Sequence, residues 1–62
     1  MSTVFDRILR EIEDRRDVLA QTVVSGAAKD FDEYRAMCGE IRGLSFAHNQ
    51  IIDLQRKLEQ ED

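Results

Sequence analysis

A chain of 62 residues forms one small domain at most, and a core of that size supplies only about 3–5 kcal/mol. Its net charge is −4, with acids and arginines interleaved; this speaks against a nucleic-acid binder, because phosphate contacts need clustered Lys and Arg. One cysteine, Cys38, permits no internal disulfide, and together with the one histidine, His48, it is too few for a structural zinc site within one chain, so the remedy left for so small a core is oligomerisation or docking on a larger partner.

The opening "MSTVFDRIL" lacks the charged-then-apolar pattern of a signal peptide. No apolar run is long enough to span a bilayer. A soluble protein inside a cell, with no membrane contact, is expected. The first element is a helix over 3–24. Phe5, Ile8, Ile12, Leu19 and Val23 form one apolar face at helical spacing. Asp6 with Arg10, Arg7 with Glu11 and Glu11 with Arg15 are four-residue charge pairs, worth a few tenths of a kcal/mol each. "EDRRD", residues 13–17, interrupts the apolar face. Either the stems of Arg15 and Arg16 cover the seam while their heads reach water, or an arginine is held against a carboxylate across the hairpin, with Glu40 as a possible mate.

A turn follows over 25–29. Gly26 suits a helix C-terminal cap, where the left-handed conformation is needed. Asp30 with Glu33 reads as an acidic capping box that opens the second helix, expected over 30–58 with a frayed tail at 59–62. Tyr34, Met37, Ile41, Leu44, His48, Ile51, Gln55 and Leu58 follow alternating steps of three and four, a heptad seam with two polar members. Phe31, Cys38, Ser45 and Ile52 widen it. Two amphipathic helices and a short loop make an all-α antiparallel hairpin over 1–62. Its core is Phe5, Ile8, Ile12 and Leu19 against Tyr34, Ile41, Leu44, His48, Ile51 and Leu58. Being longer, the second helix should project about 10 Å beyond the first.

Gly39 and Gly43 stand inside this helix, each costing about 0.5–1 kcal/mol relative to alanine. At 100° per residue they lie roughly opposite the seam, with Ala36, Ala47 and Leu54, and Phe46 flanks them. Small residues let another helix approach closely. Ala36, Gly39, Gly43, Phe46, Ala47 and Leu54 are therefore the expected second contact surface, completing the hairpin as a self-associated bundle or ring. The competing expectation is a kink or break at "GEIRGL".

The stretch "SGAAKDFDEYRAMCGEIRGLSFAHNQIIDL", residues 25–54, resembles small uncharacterised helical-hairpin proteins of tailed bacteriophages. The likeness is carried by Gly26, Lys29, Asp30, Phe31, Tyr34, Gly39, Ile41, Gly43 and Leu44, with Phe31 where tyrosine is commoner. It implies a gene near portal and head-to-tail genes, and no catalytic residues.

No catalytic constellation is evident. His48 sits on the seam and reads as a satisfied interfacial histidine; Cys38 reads as a small apolar residue rather than a nucleophile. "GEIRG" has no preceding strand and is no phosphate loop. No metal or cofactor is expected. The function expected is a non-enzymatic structural or assembly protein, in the virion or host cytoplasm, that oligomerises and contacts other phage structural proteins. The alternative is a small inhibitor or adaptor that docks on a host protein.

Overall fold

The computed structural model describes residues 3–60, which form two α-helices, α1 (Thr3–Val24) and α2 (Phe31–Gln60), and no strand. They pack antiparallel as an all-α hairpin. α1 keeps the expected bounds. α2 starts one residue later than expected, because Asp30 caps it from outside. It also continues through Glu59 and Gln60, where fraying was expected. Residues 61 and 62 of that expected tail lie outside the described residues.

The connection shows why the chain turns here. Gly26 adopts φ 76°, the left-handed region that costs other L-residues roughly 1–2 kcal/mol. Gly26 N–H then donates to Val23 C=O (3.1 Å) and Ala27 N–H to Thr22 C=O (3.2 Å). This 5→2 and 6→1 pair is a Schellman motif, which satisfies carbonyls that the helix end leaves open. On the far side, Asp30 Oδ1 accepts from Glu33 N–H at 2.8 Å. Glu33 Oε1 reaches back to accept from Lys29 N–H at 3.0 Å, one residue earlier than the reciprocal bond of the usual box. Asp32 and Glu33 sit at the positive end of the α2 dipole and Lys57 near the negative end.

The seam on α1 is Phe5, Leu9, Ile12, Arg16, Leu19 and Val23, alternating steps of four and three. Ile8, expected in this core, is instead exposed. A step of four from Phe5 keeps Leu9 near the seam, whereas a step of three swings Ile8 to its flank. On α2 the half-buried seam residues are Met37, Cys38, Ile41, Leu44, Ser45, His48, Ile51, Ile52 and Gln55, with Glu33 at the cap and Ala47 beside the seam also half-buried. Leu19, 6% exposed, is the one buried apolar side chain among the described residues.

Two more expected core residues, Tyr34 and Leu58, are exposed. The side-chain contacts across the hairpin join Glu13 to His48, Arg16 to Ser45 and Arg15 to Glu40. Tyr34 stands near the start of α2 and Leu58 near its end, and α2 has 30 residues against 22 in α1, so both lie towards the ends of the longer helix, where the shorter one offers least cover.

The result is a rod of 50 × 16 × 12 Å. Its radius of gyration, 14.6 Å, exceeds the roughly 11 Å of a compact domain of this length. Its accessible surface, 5033 Å², exceeds the about 4,100 Å² usual for a folded monomer of this mass.

Three substitutions test this account by chemical denaturation followed by circular dichroism, at one fixed protein concentration. Leu19→Ala is expected to cost about 2–3 kcal/mol through the lost contact and the gap it leaves. Gly26→Ala meets no atom within 4 Å, so its expected loss of about 1 kcal/mol comes from the positive φ alone. Asp30→Ala is expected to lose about 1 kcal/mol by uncapping α2. An unchanged midpoint for Gly26→Ala would contradict the cap described above.

Candidate interaction surface

Polar side chains cross between the helices at mid-height. Arg15 Nε donates to Glu40 Oε2 at 2.9 Å. Arg16 Nη1 donates to Ser45 Oγ at 3.3 Å. His48 Nε2 lies 2.8 Å from Glu13 Oε2. A carboxylate only accepts, so Nε2 carries the proton in this contact. The interruption "EDRRD" therefore supplies three ties across the seam. The second expectation holds for Arg15, while Arg16 follows the first only in its place on the seam, its head meeting Ser45. Arg16 stays half-buried in the seam, and Arg15 takes Glu40.

Glu40 holds the Arg15 guanidinium above its ordinary value, first by the hydrogen bond and then by its charge. The pair is open to water, so it fixes register more than it adds stability. The expected pairing of Arg15 with Glu11 is replaced: Glu11 accepts from Arg7 at 3.0 Å, and Arg15 turns across the hairpin.

His48 is 14% exposed at its side chain and engaged by Glu13, the satisfied interfacial histidine expected from its place on the seam. Cys38 is half-buried beside Tyr34, whose phenol is held above its ordinary value chiefly by a hydrogen bond to Cys38 and then by the charge of that thiol when ionised. No group of three or more His, Cys, Asp or Glu suited to a metal occurs among the described residues. Two surface hollows each lie along a single helix. One is lined by Asp6, Arg7, Arg10, Glu11 and Asp14, the other by Gln50, Ile51, Asp53, Leu54 and Lys57. Neither brings together residues from both helices.

The expected break at "GEIRGL" does not occur: α2 runs unbroken through both glycines. A Cβ added at Gly39 or Gly43 would meet nothing within 4 Å. The two glycines thus have open space beside them. Ala36, Gly39, Gly43, Phe46 (66%) and Leu54 (48%) are exposed, and Ala47 is half-buried.

These six residues do not share one side of the hairpin, and the Arg15–Glu40 bridge shows how they divide. Residues seven apart on a helix lie on nearly the same face. Ile8 and Thr22 therefore lie on the Arg15 flank of α1, while Ala47 and Leu54 lie on the Glu40 flank of α2. Because Arg15 and Glu40 touch, the two flanks adjoin on one side of the rod. Leu44, Ile51 and Leu58, themselves seven apart, fill the angle between that flank and the seam. Ala36 lies near this side, and Gly43 at its rim. Gly39 and Phe46 turn to the outer back of α2.

The opposite side is polar, with Asp6, Glu13 and Asp17 of α1 beside Arg42, Asn49 and Arg56 of α2. Near the turn, Phe31 stacks on Tyr34 with ring centroids 6.1 Å apart, and the Arg35 guanidinium lies 5.9 Å from the Phe31 ring centre.

The contribution of α1 to this surface was missed by reading α2 alone. The seven-residue recurrence of Leu44, Ile51 and Leu58 was visible in the sequence. That Ile8 lies beside it depends on which flank of α1 adjoins α2. Comparison of the chain with protein-family models, curated proteins and solved structures returned no match.

Two outcomes are expected. Arg15→Glu lowers the denaturation midpoint, and adding Glu40→Arg restores most of the loss; a double variant no better than the single would show that the bridge does not couple the helices. Gly43→Leu, with open space around it, raises helix stability by about 0.5–1 kcal/mol, read as a higher melting temperature. A fall would mean that a neighbour already occupies that space.

Proposed function

We propose that this chain is a non-enzymatic structural or assembly protein of a tailed-phage particle. It self-associates and, as an oligomer, contacts portal, capsid or head-to-tail proteins. The observation that carries the self-association is the incomplete core: a hairpin with one buried apolar side chain among its described residues, none of them fully buried, and an apolar flank open to water. Isolated helical pairs of this size are marginal without further packing, and a repeated subunit supplies it. The phage assignment is supported by the resemblance carried by residues 25–54. Of the expected contact residues, Ala47 and Leu54, with Ala36 and Gly43 near them, serve self-association on the apolar flank, while Gly39 and Phe46, exposed on the outer back of α2, face the other particle proteins. No helix among the described residues is long and apolar enough to cross a membrane, and the reading places the chain in the virion or the host cytoplasm.

The test is the solution mass of the purified chain, by light scattering over a concentration series, together with its copy number in purified particles. A discrete oligomer and a fixed virion stoichiometry are expected. A folded monomer absent from particles would overturn the reading in favour of an inhibitor or adaptor that docks on a host protein.

A further inference from the structure

We infer that the surface on which two copies meet is the mixed apolar flank formed by both helices, with Ile8 of α1 and Ala47, Ile51, Leu54 and Leu58 of α2 at its centre, and that its occupant is a second copy, giving a two-fold four-helix bundle. This rests on the self-association proposed above and names its surface. Three observations lead to it.

The first is position. Ile8 lies near the start of α1, and Leu54 and Leu58 lie near the end of α2, stretches that an antiparallel hairpin brings to the same end. The flank residues of both helices therefore gather at the open end of the hairpin. Ile8, Leu54 and Leu58 are all exposed there. A helix of a bundle needs an apolar sector wider than a two-stranded seam; α2 has one, and α1 covers only part of it.

The second is area. The chain exposes roughly 900 Å² more than a folded monomer of its mass. A standard stable interface covers about 800 Å² on each partner.

The third is charge, and it selects a second copy. Each chain carries −4, so two copies repel unless they meet where charge is already balanced. The flank is close to neutral overall: Arg15 pairs with Glu40, Arg7 with Glu11 and Asp53 with Arg56, and the two remaining charges, Lys57 beside Leu54 and Glu33 at the start of α2, are of opposite sign. A partner of strong opposite charge would find little to pair with here, whereas an identical flank matches it in being apolar and internally neutralised. The outer back of α2, with Gly39 and Phe46, lies outside this contact.

The experiment compares Ile8→Glu, Leu54→Glu, the milder Leu54→Gln, and Phe46→Glu in the full chain, with mass by light scattering and helicity by circular dichroism. A wild-type dimer is expected. Ile8→Glu and Leu54→Glu weaken it by about tenfold or more, because a carboxylate loses its water at the contact. Leu54→Gln weakens it less, and Phe46→Glu leaves it unchanged. If the Glu variants also lose helix, Leu54→Gln decides: weaker association with helix retained supports the flank, and unchanged association overturns it. Dispersal by Phe46→Glu but not by the flank variants overturns the surface while leaving self-association intact. Dispersal by all of them with helix retained also overturns it. A wild-type monomer at every concentration overturns both the surface and the reading on which it rests.

Discussion

Leu19 is where the two helices close most tightly, and the remaining seam contacts are half-open to water. Two cylinders touch along a line, so each helix can hide only a narrow stripe from solvent. The apolar residues of this chain exceed that stripe. Ile8, Leu54 and Leu58 remain exposed although the sequence spends large aliphatic side chains on them. Two features of the molecule follow from this geometric limit: its elongated shape and its surplus surface.

Within that limit, polar contacts decide which stripes meet. An apolar seam alone tolerates sliding by a heptad, because every layer looks alike. Arg16 with Ser45 and Glu13 with His48 break that equivalence at one height, and Arg15 with Glu40 fixes which sides adjoin. At exposed positions such contacts contribute little net stability. Their effect here is specificity. The Schellman turn at Gly26 and the cap at Asp30 act in the same sense, by holding the chain reversal to one geometry.

The two long sides of the rod differ in character. One sets acids of α1 beside arginines of α2 and is suited to water. The other places aliphatic residues from both helices around a neutralised ion pair. A rod with one apolar side is a building unit, since stacking two such sides completes a bundle core that neither copy has alone. This is the physical content of the assembly role proposed for the chain.

Much of the fold was legible from local chemistry. The bounds of α1, the glycine cap and the acidic cap at Asp30 depend on near neighbours in sequence, and residue type alone determines them. The α2 seam from Met37 to Gln55 was equally readable, because apolar spacing records which face a helix buries. Tertiary structure decided what depends on two helices at once. Leu9 rather than Ile8 joined the seam, and Tyr34 and Leu58 fell outside it. The small-residue stripe divided between two sides, and Ile8 became part of a shared surface. These outcomes turn on the register and rotation of one helix against the other. Contacts between residues some 25 to 35 positions apart set them, and no periodicity within a single helix encodes them.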